Sequence, residues 1–296
     1  MMARRRPPTV HGLAVVDKPR GVTSHDVVGH LRRRLGERQV GHAGTLDPDA
    51  TGVLLVGVGR ATRVLRFLTD LGKTYRGEVR FGSTTDSLDS TGSVTATFDM
   101  TGLTPEMVRA AIAEHLTGPI EQIPPMVSAV RVDGRRLHEL AREGIEVERA
   151  PRPVTVYRFD AEPTADPLVY TIEVHCSKGT YIRTLADDLG RLCGGGAHLH
   201  GLRRVAVGGF TVDAAASPDE VELMSLVDAV RDYPRVDVDA ETAALVRHGR
   251  VLERSGAARF DGEGPWAVVC DGELLAMYEG FGERQVKPAV VISTDD

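Results

Sequence analysis

The stretch GHAGTLDPDATGVLLVGVGRATR, residues 41–63, decides the expected fold around it. Its second half, Val53–Val58, is almost purely apolar, which predicts a buried strand. Just before that strand, Asp47 stands in a turn rich in glycine and proline. Pro48 restricts the residue before it to extended backbone. The stretch therefore displays a carboxylate on a stiff loop beside a buried strand, although an Asp-Pro pair alone indicates no more than a turn.

The composition limits the classes of protein that this chain can be. With 296 residues, of which 42% are hydrophobic, we expect one or two domains with a sizeable core. The net charge of −6 argues against a uniformly basic nucleic-acid binder. The charge is unevenly placed, because residues 1–66 hold 11 Arg and 1 Lys against 5 acidic residues, and residues 231–296 hold 8 basic against 13 acidic residues. We expect the first part to face an anion.

Cysteine usage and hydropathy predict a cytoplasmic protein. The three cysteines lie far apart and suggest no disulfide framework, so we expect reduced thiols. No apolar run approaches the roughly 18 residues of a membrane helix, so we expect no membrane contact.

The mixed order of predicted strands and helices indicates an α+β fold. Thr23 or Ser24 is predicted to begin a helix that ends at Leu35, and alternation predicts a strand over residues 73–81. Residues 82–92 are predicted to form a polar loop and residues 221–230 a helix. Further segments are a proline-bounded insertion over residues 123–152, with a hairpin at Asp133-Gly134, and a linker at residues 232–234.

One glycine-rich motif matches a dinucleotide-binding loop only in part. Gly57 and Gly59 follow a strand as in a dinucleotide-binding loop, but Thr62 stands where the third glycine belongs. We therefore predict no dinucleotide, and we predict no metal because Cys193, His198 and His200 lack an accompanying pair of cysteines. No cofactor is expected.

Four further motifs carry a more specific signal. They are Asp17-Lys18-Pro19 with Gly21, Gly41–Pro48, Lys73-Thr74-Tyr75, and CSKGTYIRT at residues 176–184. Together with IPPMVSAV at residues 123–130, this ordered set closely resembles the TruB-type tRNA pseudouridine synthases over residues 10–230. Several motifs in order make a chance match improbable.

The resemblance implies three catalytic residues. Asp47 matches the aspartate that attacks C1′ of the ribose or removes its C2′ proton, and the sequence does not choose between these routes. Arg183 matches the arginine that keeps this carboxylate ionised. Tyr75 matches a tyrosine that stacks on the uracil and takes the C5 proton. Outside the motifs, Arg183 and Tyr75 would be interpreted as a surface ion pair and a strand aromatic.

The resemblance also implies a set of residues around the substrate. These are His42, Tyr181, Leu202, Asp89, Lys18 and Arg203. For Lys18 with Pro19 we expect support of the catalytic loop, and for Arg203 with Arg204 we expect either phosphate contact or solvated surface. An ordinary core or surface role is the alternative for each.

By the same resemblance, residues 1–232 form a catalytic domain of the pseudouridine-synthase fold, with a mixed, mainly antiparallel sheet and an RNA-binding insertion. Residues 236–296 form a small β-rich, PUA-like domain. The implied activity is isomerisation of the uridine at position 55 in the T loop of tRNA, by a monomer without guide RNA. A guide-RNA-dependent synthase is disfavoured because no extra terminal segments are evident, and a non-catalytic RNA-binding module is disfavoured because Asp47, Tyr75 and Arg183 are all present.

Overall fold

The computed structural model describes residues 7–128, 130–132 and 134–292. These residues form two compact units, the first made of residues 7–48, 52–70 and 207–292, and the second made of residues 49–51 and 71–206. The predicted hairpin turn at Asp133-Gly134 includes Asp133, which lies outside the described residues.

The strands of the described part are β1 (Gly12–Lys18), β2 (Val40–Ala43), β3 (Thr51–Val58), β4 (Lys73–Phe81), β5 (Ser83–Thr85), β6 (Val94–Thr97), β7 (Gly118–Gln122), β8 (Arg131–Val132), β9 (Arg135–Arg136), β10 (Arg152–Pro163), β11 (Val169–Cys176), β12 (Ala197–Val207), β13 (Phe210–Thr211), β14 (Leu223–Met224), β15 (Arg235–Asp237), β16 (Leu252–Glu253), β17 (Trp266–Cys270), β18 (Glu273–Phe281) and β19 (Gln285–Val291). The α-helices are α1 (Ser24–Leu35), α2 (Leu65–Asp70), α3 (Pro105–His115), α4 (Leu137–Arg142), α5 (Ile182–Leu192), α6 (Leu226–Ala229) and α7 (Ala240–Arg247). Two 3₁₀ turns cover Gly59–Val64 and Val212–Ala214.

The predicted buried strand is the centre of the first unit. Strand β3 pairs antiparallel with β1 and with β2, so Val56 faces Ala14 on one edge and His42 on the other. Residues Val53–Val56 are fully buried. The apolar run therefore needs no polar face, because both edges are paired and both faces are covered.

Helix α1 covers this sheet as its sequence predicts. The N-cap is Thr23, whose side chain accepts from the Asp26 amide while the Asp26 carboxylate accepts from the Thr23 amide. Gly36 ends the helix in the left-handed region, with φ of 62°. Its apolar face, which includes Val28 and Leu31, packs on the buried side chains of β1 and β3.

The β-rich C-terminal part is confirmed by a five-stranded sheet in the order β15-β17-β18-β19-β16, in which β15 pairs parallel with β17 and the other neighbouring strands pair antiparallel. Helix α7 and the sheet share a core around Trp266 and Tyr278. Tyr233, in the predicted linker, donates to the Phe67 carbonyl at 2.8 Å and packs edge-on against the Phe67 ring. This predicted linker is therefore packed within the first unit through Tyr233.

The second unit is built on five strands in the order β12-β4-β11-β10-β7. The pairs of β4 with β11, β11 with β10 and β10 with β7 are antiparallel. Helix α3 lies against β10 and α5. The α+β class and the mainly antiparallel pairing are confirmed, and no helix in the described part is long and apolar enough to cross a membrane.

Two predicted local elements are wrong. The helix predicted over residues 221–230 is reduced to α6, because Leu223 and Met224 instead pair with β1. The predicted polar loop at residues 82–92 begins with β5, which pairs with β6. In both places, long-range pairing overrides a local pattern too short to decide between helix, strand and loop.

Candidate active site

The Asp47 loop, defined here as residues 44–50, joins the antiparallel strands β2 and β3. Leu46 is buried, with 4% of its surface exposed, whereas Asp47 is half-buried and Pro48 is exposed. The buried leucine anchors the loop to the core. The neighbouring carboxylate remains within reach of a substrate.

Two side chains hold the backbone on either side of Asp47. The Ser24 hydroxyl accepts from the Leu46 amide at 2.9 Å and donates to the Leu46 carbonyl at 3.1 Å. The Lys18 ammonium donates to the Pro48 carbonyl at 3.0 Å, and the Gly21 amide donates to the same carbonyl at 2.9 Å. Backbone groups are therefore hydrogen-bonded both before and after the carboxylate-bearing residue.

Lys18 is entirely buried, and its ammonium also donates to the carbonyls of Pro19 and Val22. The structure thus shows the predicted contact between Lys18 and the Asp47 loop. A direct role of Lys18 toward a substrate stays a prediction. His42 is half-buried on β2, opposite Val56 of β3, and its role in binding also stays a prediction.

In the second unit, Tyr75 lies on β4 opposite Val174 of β11 and is 9% exposed. Strand β12 approaches β4 very closely at Gly77, where an added Cβ would lie 2.3 Å from the Gly201 carbonyl oxygen and 3.5 Å from Leu202 Cδ1. Only glycine fits at this approach. Gly77 therefore allows the strand that carries Leu202 to lie against the strand that carries Tyr75.

Arg183 connects three segments of the second unit. Its guanidinium donates to the Ser87 carbonyl at 3.0 Å through Nη1 and to the Val127 carbonyl at 2.9 Å through Nη2. Its Nε lies 3.6 Å from Asp89 Oδ2, and its side chain is 5% exposed. The alternative interpretation of Arg183 as a surface ion pair is wrong, because this guanidinium is buried and fixed in direction.

Asp89 is held as firmly as its arginine partner. Its Oδ1 accepts from the Ser87 hydroxyl at 2.7 Å and from the Thr91 hydroxyl at 2.6 Å. Between Ser87 and Asp89, Leu88 has a φ of 63°, which a leucine rarely adopts and which costs about 1 kcal/mol or more. This strained turn directs the Ser87 carbonyl and the Asp89 carboxylate toward the same guanidinium.

Tyr181, the residue before α5, is fixed by a side-chain amide. The Gln122 Oε1 accepts from the Tyr181 amide at 2.9 Å, and the Gln122 Nε2 donates to the Tyr181 carbonyl at 3.2 Å. Gln122 is 2% exposed and is the last residue of β7 before the predicted insertion. It therefore joins the base of the insertion to the start of the helix that carries Arg183.

The remaining candidates differ in exposure. Arg203 is half-buried and donates to the Thr51 hydroxyl at 3.2 Å, whereas Arg204 is 1% exposed and is not presented to a phosphate.

Cys176, in the motif before α5, is fully buried, and burial raises the pKa of its thiol to about 11. A nucleophilic thiolate is thus excluded at this cysteine near neutral pH.

The sequence motifs do not identify Gln122, Leu88 or Gly77 as residues that position the candidate site. The glycine alone carries a sequence signal, because a glycine inside an alternating strand indicates close backbone approach. Gln122 and Leu88 look ordinary in sequence, and their importance comes from partners far along the chain.

Each unit therefore offers different chemistry. The first presents a half-buried carboxylate on a pinned loop, which suits attack on carbon or removal of a proton. The second holds a buried guanidinium, an acidic partner and two tyrosines, which suit charge stabilisation and stacking on a base. The pairing of Asp47 with Arg183 stays a prediction.

Comparisons with known proteins agree with the motifs. The model for the TruB family pseudouridylate synthase N-terminal domain matches residues 32–182, and that for the tRNA pseudouridylate synthase B C-terminal domain matches residues 183–245. Proteins named tRNA pseudouridine synthase B are similar along nearly their whole length: one from Mycobacterium ulcerans (strain Agy99) is 44% identical over 95% of this chain and 94% of its own, and one from Rhodococcus jostii (strain RHA1) is 45% identical over 98% of both.

Solved structures agree at the level of the fold. A chain in the crystal structure of a Cbf5-Nop10-Gar1 complex aligns with a TM-score of 0.73 at 25% identity, over 96% of this chain and 85% of that one. A chain of an archaeal box H/ACA Nop10-Cbf5 complex aligns with a TM-score of 0.70 at 23% identity, over 98% and 89%.

Proposed function

Because the chain belongs to the TruB family of pseudouridylate synthases, and is therefore an isomerase, we propose that it converts the uridine at position 55 in the T loop of tRNA to pseudouridine. The name shared by its relatives, tRNA pseudouridine synthase B, supports tRNA as the substrate. The excess of arginine in residues 1–66 suits a phosphate-bearing partner.

The observation that carries the proposal is the Asp47 loop. A half-buried carboxylate lies between two residues whose backbone groups are hydrogen-bonded from outside the loop. A carboxylate held in this way loses little orientational freedom when a substrate binds, which is what reaction at a defined sugar carbon requires.

In the proposed reaction, the bond between C1′ of the ribose and N1 of uracil breaks, the uracil turns, C5 joins C1′ and gives up its proton, and N1 gains a proton. Asp47 either attacks C1′ with loss of N1 and is displaced in turn when C5 bonds to C1′, or it removes the C2′ proton and returns it when C5 bonds to C1′. Both routes remain open. The target nucleotide first leaves its stack, at a cost of a few kcal/mol. We assign Tyr75 and Tyr181 to receive the base, and Arg183 to favour the ionised form of Asp47.

The base of the predicted insertion supports an RNA-facing role. Arginines at 131, 135, 136, 142 and 149 lie in this segment, and Arg149 donates to the Pro124 carbonyl at 3.1 Å. Ile123, Val127 and Ile145 expose between 42% and 50% of their surfaces there. Apolar surface beside arginine suits unstacked bases and the phosphates that flank them.

The decisive experiment measures tritium release from a tRNA transcript labelled at C5 of its uridines. The protein, with no other RNA present, should release close to one equivalent of tritium per tRNA, because C5 loses its hydrogen when it joins C1′. A matched transcript with cytidine at position 55 should release almost none.

The outcomes separate the alternatives. No release from the first transcript would overturn the proposal and favour an RNA-binding role without catalysis, or a need for a guide RNA. Equal release from both transcripts would retain the isomerase and refute position 55 as its target.

A further inference from the structure

Ser24 holds the residue immediately before Asp47 through both of its backbone groups. A single hydroxyl accepts from the Leu46 amide at 2.9 Å and donates to the Leu46 carbonyl at 3.1 Å. Ser24 is 2% exposed. Water therefore does not readily replace this hydroxyl, and both of its hydrogen bonds are made in a setting where unpaired backbone groups are costly.

The Ser24 hydroxyl is not needed to begin its helix. The N-cap of α1 is the neighbouring Thr23, which accepts from the Asp26 amide at 3.0 Å and completes a capping box. Ser24 is the first residue of the helix proper, and its side chain reaches to the Asp47 loop instead. Two adjacent hydroxyls thus perform separate tasks.

The position of Leu46 matters because it leaves Asp47 between two fixed points. On the other side, the Pro48 carbonyl accepts from the Lys18 ammonium at 3.0 Å and from the Gly21 amide at 2.9 Å. The proline ring further confines the Asp47 backbone. With both neighbouring peptides held, the freedom left to the carboxylate lies mainly in its own side chain.

We propose that Ser24 is a positioning residue for catalysis, which sets the direction of the Asp47 carboxylate by holding both backbone groups of Leu46. This inference rests on the proposed function, since the direction of Asp47 governs the rate only if Asp47 acts on the ribose. Small displacements of a reacting group reduce rates strongly, by up to about 100-fold for 1 Å.

The test compares Ser24→Ala and Ser24→Cys with Thr23→Ala in single-turnover tritium release and in tRNA binding. Both Ser24 variants should lower the rate about 10- to 100-fold, with tRNA affinity within about threefold of wild type. The cysteine is slightly larger than serine, so it leaves no cavity, but it is a weak hydrogen-bond partner. Its rate loss would therefore exclude a cavity as the cause. If Ser24→Ala does not fold, Ser24→Cys carries the test.

Thr23→Ala is the matched control on the same helix. It removes the cap and should lower thermal stability, yet its rate should stay within about threefold of wild type. Wild-type rates in the Ser24 variants, or an equal rate loss in Thr23→Ala, would overturn the inference. Absence of tritium release by the wild-type protein would instead refute the proposed function, and an active Asp47→Asn variant would refute the role of Asp47, so the failures are distinguishable.

Discussion

The Asp47 loop and the start of α5 carry the two oppositely charged residues of the proposed chemistry, and the protein fixes them in different ways. Asp47 is half-buried, and its neighbours are held by Ser24 and Lys18, 22 and 30 residues from the groups that they bind. Arg183 is almost completely buried, and its own guanidinium binds carbonyls 56 and 96 residues away.

The difference separates an accessible reactive side chain from a side chain that is buried and also supports the structure. In the Asp47 loop the backbone is held and the functional side chain remains accessible. At the start of α5, the functional side chain is itself part of the hydrogen-bonded structure, through Asp89 and two backbone carbonyls. Replacing Asp47 itself should therefore affect activity alone, whereas replacing Arg183 should affect both activity and stability.

The sharpest test of this contrast, and the largest expected effect, is Asp47→Asn. It should reduce turnover by about four orders of magnitude or more, as the loss of a group that reacts directly does. Thermal stability and tRNA affinity should change little, because the held backbone is intact. Asp49→Asn, an exposed acid on the same loop, is the control and should remain active. A comparable loss of tRNA binding would make Asp47 a structural residue.

Arg183→Met should give the next largest effect. Turnover should fall about 100-fold or more, because the cation assigned to favour the ionised form of Asp47 is lost. Unlike Asp47→Asn, it should also lower the melting temperature, since the Ser87 and Val127 carbonyls lose their donor. Single-turnover rates and thermal melts measure both effects.

Arg191→Met on the same helix is the control for Arg183. Its guanidinium is 59% exposed and pairs with the side chains of Asp187 and Asp188, which are 10% and 26% exposed, and within the described residues it has no contact with the groups that Arg183 binds, so turnover should be nearly unchanged. Equal rate losses in the two variants, or wild-type turnover in Arg183→Met, would remove the role assigned to Arg183.

Gln122→Met tests whether the second region is positioned through its backbone as well. The variant keeps the length of the side chain and removes both hydrogen bonds to Tyr181. We expect about a tenfold loss of rate, since one buried backbone donor and one acceptor lose their partners at about 1–3 kcal/mol. Gln285→Met, which removes only a surface contact with Glu253, should be silent. A wild-type rate in Gln122→Met would show that Gln122 does not position Tyr181 for catalysis, and that only the Asp47 loop is positioned in this way.

The smallest expected effect concerns Cys176. Its pKa is raised from 9.0 to about 11 by burial, so the folded protein keeps the thiol protonated while the unfolded chain ionises first. The stabilisation is complete below pH 9 and is lost as the pH rises from 9 toward 11. Cys176→Ala should remain active and should flatten this fall in urea-unfolding free energy. A strong loss of turnover in Cys176→Ala would contradict this expectation and indicate that the thiol takes part in the reaction.

Much of the local structure was predictable. The buried strand β3 and the helix α1 follow from an apolar run and from a cap with an apolar face, and the alternation of residues 73–81 coincides with β4. Strand β7 was not predicted, because the segment GPIEQ has neither alternation nor β-branched enrichment. Its strand conformation comes from pairing with β10.

The sequence by itself determined the family, the aspartate before a buried strand, and the nature of the residues offered for catalysis, because these depend on short motifs and local periodicity. Only the tertiary structure decided which groups hold them: Ser24 for Leu46, Gln122 for Tyr181, and the strained Leu88 turn for Arg183. The physical reason is that a hydrogen bond depends on distance and direction in space. Two partners that are 22 to 96 residues apart in the sequence share no local pattern from which their contact could be predicted.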